Sequence, residues 1–270
     1  MERRFEIKTK VVGKGSDEAT EERVLGRIVR ITDDGWELEA DQRHGEVVIS
    51  ELGLNDAKGV STPGEDIKPL DGDEVPLLGV QVTQYRALAA RINYLAQDRA
   101  DLQFAAKEIC RGMSQPTAGH WRALKRLGRF LITCPRVVWR YPWQEPVTRV
   151  STFSDSDWAG CRSTGRSTSG GASMLGVHCL RTWSVTQKFV TLSSAEAELM
   201  ALVRAATEAI GITQLASSWG LSLDSTVFVD SSAALAITHP RGVGRLRHMV
   251  TFGCRSLQRP VESSLKCLAP

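Results

Sequence analysis

The order of strands and helices in the second half of the chain restricts the fold more than any other feature. Apolar strand-like runs precede a long helix from about Ser193 to Trp219, and a short strand, Thr226–Val229, and a short helix, Ser231–Thr238, follow it. The preceding runs are Val137–Tyr141, Val147–Ser154, Gly170–Leu175 and Cys179–Val185. This order predicts an α+β or α/β fold, a mixed sheet with flanking helices, across residues 136–250.

The first half divides into three regions by its pattern. Residues 1–57 carry strand-like runs, with Asp33-Asp34-Gly35 as a hairpin turn between Val24–Thr32 and Trp36–Ala40. Residues 58–82 are rich in Gly, Pro, Ser and Asp, which predicts a linker. Residues 83–135 show helical periodicity, and Thr117 is placed to begin the last helix of this region. We therefore expect a small region of hairpins and helices before the sheet domain.

Acidic residues stand where the predicted strands end and where the long helix starts. Asp155 ends one apolar strand, Asp230 ends another, and Glu198 lies in the first turns of the helix. Single acids in such places are commonly turn formers or partners of the helix dipole. Three together at one edge of a sheet would repel one another unless a hard cation such as Mg²⁺ lies between them. The pattern therefore predicts a divalent-cation site suited to phosphodiester hydrolysis.

Four ordered motifs resemble the ribonuclease H domain of copia-type retrotransposon polyproteins. They are FSDSDWAG, RSTSGGASMLG, TWSVTQKFVTLSSAEAELMAL and VFVDSSAALAI. The resemblance implies a ribonuclease H-like domain that cleaves RNA in RNA–DNA hybrids with Mg²⁺ or Mn²⁺, using two ions in the family. It assigns the catalytic and metal-binding roles to Asp155, Glu198 and Asp230.

The resemblance leaves four neighbouring residues in secondary roles: Asp157, Glu196, Ser194 and His248. Each acidic pair is two residues apart, so the choice within a pair rests on comparison with the wider ribonuclease H fold. On the helix, Glu196 and Glu198 point about 200° apart, so only one of them can be a principal ligand. Asp155 and Asp157 would share one face of their strand.

The similarity extends upstream and also has two departures. QYRALAARINYLAQDRADLQF resembles the segment after the polymerase palm, which makes residues 1–57 the palm-like end of a reverse transcriptase and 83–135 a thumb- or connection-like region. The polymerase motif Y-x-D-D does not occur in the sequence. Val250 stands where the family has an acid, and the tail, 251–270, matches nothing in the family. We therefore expect a C-terminally incomplete domain, without its last strand and helix, in which a second ion is doubtful.

These departures leave two functions open. The first is a ribonuclease H that is degenerate or weakly active in this chain. The alternative is a non-catalytic remnant that binds nucleic acid. In either case the expected partner is an RNA–DNA hybrid or another nucleic acid, together with the upstream reverse transcriptase portion.

A basic helix face offers a candidate nucleic-acid contact. Arg122, Lys125, Arg126 and Arg129 recur at the spacing of one face of the helix that begins near Thr117. Such a strip suits a phosphate backbone, although a solvated helix face shows the same pattern.

Composition excludes several other classes. The hydrophobic fraction of 42% and charged fraction of 24% are those of a globular protein, and the net charge of +3 alone does not indicate nucleic-acid binding. The six cysteines form no C-x-x-C pair, which argues against a zinc site. The N-terminus has no apolar signal region, and no run resembles a membrane span. We expect an intracellular protein of the cytoplasm or nucleus with no membrane partner.

Overall fold

The computed structural model describes residues 9–65, 70–238 and 265–268, the last four as backbone only. The chain forms two compact units, Met1–Trp143 and Gln144–Pro270. The boundary therefore lies at Trp143, whereas the sequence pattern placed it at residue 135.

The first unit contains a four-stranded antiparallel sheet in the order β1-β2-β3-β4. Its strands are β1 Glu21–Val24, β2 Arg27–Ile31, β3 Gly35–Glu39 and β4 Val138–Pro142. The predicted hairpin between β2 and β3 is confirmed, with Ile31 opposite Trp36 across the Asp33-Asp34-Gly35 turn. The sequence assigned β4 to the second domain, but β4 pairs with β3, because the partner of a strand is not encoded in its own pattern.

Helices form the rest of the first unit. They are α1 Arg43–Glu51, α2 Val80–Leu95, α3 Gln103–Arg111 and α4 Ala118–Thr133, with a short 3₁₀ turn at Ala100–Leu102. α4 begins directly after Thr117, as predicted, and Thr117 caps it through a reciprocal capping box with His120. The sequence placed only hairpins in residues 1–57, and α1 corrects this: its Val48 is fully buried in the core shared with α2 and α4. Tertiary packing here outweighs a weak local pattern.

The second unit contains a five-stranded mixed sheet in the order β7-β6-β5-β8-β9. Its elements are β5 Arg149–Cys161, β6 Arg166–Leu175, β7 His178–Thr186, α5 Ser194–Ser218, β8 Asp224–Val229, α6 Ser232–Thr238 and β9 Leu265–Leu268. β6 pairs antiparallel with β5 and β7, whereas β8 is parallel to β5. The predicted order of strands and helices in this region is confirmed.

The long helix α5 packs against β5, β6 and β8 and supplies much of the second core. Its buried face carries Ala205 and Ala209, whose small side chains allow close approach to the sheet, and Leu202, which is fully buried. Burying one leucine side chain stabilises a fold by about 1.5–3 kcal/mol. Within the described residues α5 is also the one helix with the length and apolar composition of a membrane span, and its packing identifies it as a core helix.

The sheet has one strand more than the sequence predicted. Leu265–Leu268, in the tail expected to match nothing, forms β9 and pairs in parallel with β8. Four residues are too few for a recognisable pattern, and the pairing is favoured because β8 would otherwise expose unpaired backbone groups at the sheet edge. His248 and Val250 lie outside the described residues.

Candidate active site

Strand register brings two of the predicted acids to the same level of the sheet. Ser154 on β5 lies opposite Val229 on β8, and each is followed directly by an aspartate, Asp155 or Asp230. Glu198 comes from the second turn of α5, which packs on both strands. One carboxylate oxygen from each of Asp155, Glu198 and Asp230 lies within 4.8 Å of the others. The predicted convergence of the three acids is confirmed.

Glu198 is the buried member of the carboxylate triad formed by Asp155, Glu198 and Asp230. Its exposed fraction is 9%, whereas both aspartates are exposed. Oε1 accepts a hydrogen bond of 3.1 Å from the Ser156 N–H, and buried Oε2 has no hydrogen-bond donor among the described residues. Burial, with repulsion from Asp230 and Asp155, raises the pKa of Glu198 to about 7.

The carboxylate triad fits a divalent cation. Three carboxylates are an oxygen donor set of the kind that Mg²⁺ and Mn²⁺ prefer. Oxygens bound to one Mg²⁺ at ~2.1 Å lie at most about 4.2 Å apart, so three oxygens within 4.8 Å of one another need only a small side-chain adjustment to share one ion. The buried Oε2 of Glu198 also lacks a partner that a cation would provide.

The two neighbouring acids have structural partners. Asp157 Oδ1 accepts a hydrogen bond from the Thr168 N–H on β6, and the pairing of β5 with β6 becomes irregular after Asp157. Glu196 Oε2 accepts a 2.7 Å hydrogen bond from the Leu192 N–H, and the Glu196 N–H donates to Ser193 Oγ at 3.3 Å. Glu196 and Ser193 thus cap α5. Neither acid belongs to the carboxylate triad.

Ser194 and His248 are the other two residues with predicted secondary roles. Ser194 is the exposed first residue of α5, next to the capping Ser193. His248 lies outside the described residues, so its predicted role stays a prediction.

The basic face of α4 is occupied by contacts within the first unit. Arg122 forms an ion pair of 2.5 Å with Asp73, Arg126 one of 2.7 Å with Glu65, and the Arg129 Nε–H donates to the Lys58 carbonyl at 2.7 Å. Lys125 is exposed. The segment predicted as a linker is therefore held against α4 by these arginines, and their contact with nucleic acid stays a prediction.

Sequence reasoning missed Gln187, a buried residue that supports the carboxylate triad. Its Nε2 donates to the Ala197 carbonyl at 2.8 Å and lies 3.2 Å from Ser156 Oγ and 3.0 Å from Ser169 Oγ. It therefore links the start of α5 to β5 and β6. A single glutamine after a strand carries no distinguishing pattern, so no local signal identified it.

The chain is similar in sequence to several known proteins. No protein-family model matches the chain. The Retrovirus-related Pol polyprotein from transposon RE2 of Arabidopsis thaliana is 29% identical over 208 residues, which cover 75% of this chain. The chain spans only 14% of that polyprotein. An uncharacterized mitochondrial protein of the same plant, AtMg00810, is 30% identical over 168 residues, which cover 62% of this chain and 68% of that protein.

The fold is shared with a solved reverse transcriptase structure. The foamy viral protease-reverse transcriptase, in complex with dsDNA, superposes with a TM-score of 0.55 at 11% identity, over 93% of this chain and 44% of that chain. The second unit has the mixed sheet and flanking helices of a ribonuclease H-like domain. The sequence relatives, the order of the motifs and the fold agree, and the chain belongs to the family of Pol polyproteins of copia-type retrotransposons.

Proposed function

We propose that the second unit hydrolyses the RNA strand of RNA–DNA hybrids with the help of Mg²⁺ or Mn²⁺. The observation that carries this proposal is the carboxylate triad, three acids with oxygens within 4.8 Å, one of them buried with an unpaired Oε2. The similarity to a retrotransposon Pol polyprotein supports a nucleic-acid substrate. The upstream reverse transcriptase portion of such a polyprotein is the proposed source of the hybrid, in the cytoplasm or nucleus.

In the second unit, three residues would hold the cation and two others would position those ligands. Asp155, Glu198 and Asp230 would hold the cation. When bound, the cation stabilises negative charge on the phosphodiester and lowers the pKa of water. The Ser156 N–H orients Glu198 through its 3.1 Å hydrogen bond, and Gln187 fixes the start of α5 through its 2.8 Å bond to Ala197. Because the acids are attached to two strands and a helix, their positions are set before substrate arrives.

We propose that the activity is weak. Among the described residues only three acidic side chains meet at this place. The family resemblance implies a further acid where Val250 stands. Without that acid, the second metal ion would lack a ligand. A catalytic metal ion stabilises the transition state by several kcal/mol, and each ~1.4 kcal/mol lost lowers the rate tenfold, so turnover would fall by orders of magnitude.

A cleavage assay with the full chain tests the proposal. Purified protein is incubated with an end-labelled RNA–DNA hybrid in Mg²⁺ or Mn²⁺, beside the variant Asp155→Asn. Glu145→Gln serves as the matched control, since it also neutralises one carboxylate, at an exposed position before β5. We expect slow cleavage by the wild type and by Glu145→Gln, leaving RNA 3′-hydroxyl ends, and none by Asp155→Asn.

A binding titration with the same hybrid, run beside the cleavage assay, separates the alternative function. Hybrid binding without any cleavage, in either metal, would favour a non-catalytic nucleic-acid-binding role. Neither binding nor cleavage would reject both functions. Cleavage that Asp155→Asn leaves unchanged would place the active site elsewhere.

A further inference from the structure

An exposed apolar surface lies beside the carboxylate triad. It is formed by Trp158, just after the Asp155 segment, and by the loop between β7 and α5. Four side chains make up this surface, which we call the ledge: Trp158, Phe189, Val190 and Leu192, with exposed fractions of 55%, 62%, 55% and 77%. Single exposed apolar residues are ordinary, whereas a group of them next to a charged site is characteristic of a binding surface.

Hydrogen bonds hold the ledge in place. The Trp158 Nε1–H donates to the Thr191 carbonyl at 3.3 Å, so the loop between β7 and α5 holds the Trp158 indole in place. Thr191 Oγ1 lies 3.1 Å from Ser167 Oγ, and this same Ser167 Oγ accepts a 3.0 Å hydrogen bond from the Ala159 N–H. Ala159 has a φ of +53°, a left-handed conformation that a non-glycine residue adopts only under local constraint. Trp158 is therefore exposed at a fixed position.

The ledge is close to the carboxylate triad. Trp158 is three residues after Asp155, so their Cα atoms are at most about 11 Å apart. This distance corresponds to about three nucleotides at a rise of 3.4 Å per nucleotide in one strand. A strand with a phosphate at the carboxylate triad could therefore bring its neighbouring nucleotides onto Trp158.

The charges around the ledge suit a phosphate backbone. Between Trp158 and Ala195 the sequence contains no aspartate or glutamate. Arg162 and Arg166 lie at the two ends of the turn between β5 and β6, Lys188 precedes Phe189, and all three are exposed. The turn and the loop are neighbours, because a Cβ at Gly165 would lie 3.7 Å from Val190 Cγ1.

We infer that the ledge binds unpaired nucleotides that flank the cleavage position, with bases stacked on Trp158 and Phe189. The inference rests on the proposed function. In a paired duplex the faces of the bases are covered by their neighbours, so aromatic side chains stack on nucleotides that are single-stranded. Aromatic platforms beside basic residues are the usual composition of single-strand binding sites. The ledge would thus favour substrates in which a hybrid adjoins a single-stranded segment.

Binding measurements on two matched substrates test the inference. One is a blunt RNA–DNA hybrid, and the other is the same hybrid with a single-stranded RNA overhang, both titrated by fluorescence anisotropy in Ca²⁺ to suppress cleavage. We expect the overhang to tighten wild-type binding about tenfold or more, and Trp158→Ala to abolish that gain. Trp158→Phe should keep most of it. Trp219→Ala, at a 71% exposed tryptophan beyond the end of α5, is the matched control and should keep all of it.

The blunt hybrid separates this inference from the proposed function. Equal wild-type affinity for the two substrates, or an overhang gain that survives in Trp158→Ala, would overturn the ledge as a single-strand site while blunt-hybrid binding upheld the proposed substrate. Failure of the wild type to bind the blunt hybrid would overturn the proposed function and this inference with it. Circular dichroism of each variant establishes that it is folded.

Discussion

Replacing Glu198 with glutamine is expected to stabilise the second unit at pH 8 by about 2 kcal/mol. The pKa of this carboxyl rises from 4.5 to about 7 in the folded chain, because it is buried and faces Asp230 and Asp155. At ~1.4 kcal/mol per pH unit this corresponds to about 3 kcal/mol. We reduce it to about 2 kcal/mol, since both aspartates are exposed and water screens their repulsion. Glutamine can still accept the Ser156 hydrogen bond.

The sign of the pH dependence follows from the raised pKa. Between pH 4.5 and about 7 the folded state binds more protons at Glu198 than the unfolded state does. The wild-type free energy of unfolding therefore falls as pH rises through this window, and the full destabilisation is present above pH 7. Glutamine does not titrate, so the gain from Glu198→Gln should be near zero at pH 4 and complete at pH 8.

Amide hydrogen exchange measured by mass spectrometry isolates the second unit. Exchange of α5 peptides, corrected for the intrinsic effect of pH, reports the free energy of opening of that helix. A stabilisation of about 2 kcal/mol slows this exchange about 30-fold at pH 8. Glu145→Gln, which neutralises an exposed carboxyl in the same unit, is expected to change it little. Exchange that is faster in Glu198→Gln than in the wild type at pH 8 would refute the reasoning. The same stabilisation at pH 4 and at pH 8 would also refute it.

Three further outcomes are expected. Mg²⁺ or Mn²⁺ should raise the melting temperature of the wild type more at pH 8 than at pH 5, and Asp230→Asn should lose most of this effect, as a thermal-shift titration would show. Ion pairs with Arg136 and Arg30 lower the pKa of buried Glu39 to about 2. The stability that Glu39 contributes is therefore present above pH 4.5 and lost as pH falls toward 2. Glu39→Gln should therefore lower the urea midpoint of the first unit at pH 7 and much less at pH 2.5. Gly171→Ala should cost about 1–3 kcal/mol in chemical denaturation, because its methyl group would overlap the Trp183 ring, whereas Gly211→Ala, in open space on α5, should stabilise by about 0.5–1 kcal/mol.

Sequence reasoning located the carboxylate triad because its members occupy positions with a geometric meaning. Asp230 directly follows β8, and Asp155 directly follows Ser154, the last residue of β5 that pairs with β8. The prediction that the strand itself ends at Asp155 is wrong, since β5 continues to Cys161, but the pairing with β8 ends where the sequence pattern placed the strand end. Glu198 was preferred to Glu196 by family resemblance, and the structure supplies a physical reason. Glu196 accepts from the Leu192 N–H and caps α5.

The errors share a different cause, namely contacts between residues far apart in the sequence. Nothing local in Val138–Pro142 shows that its partner is β3 rather than β5. The arginines of α4 form a regular basic face, but Arg122 meets Asp73, 49 residues away, and the charge pattern of the helix alone cannot reveal that acid. The ledge was missed for a similar reason, since Trp158 contacts Thr191, which lies 33 residues further along the chain.

The parallel pairing of β5 with β8 has a consequence for synthesis. Asp155 leaves the ribosome before β6, β7 and α5, whereas Asp230 follows all three. Pairings between distant segments form slowly, and domains tend to fold in the order in which they are made. The first unit can therefore complete its helical core while the second is still being translated. The carboxylates come together only when β8 is inserted beside β5, so a nascent chain that stops within α5 already carries two of the three acids but has no cation site.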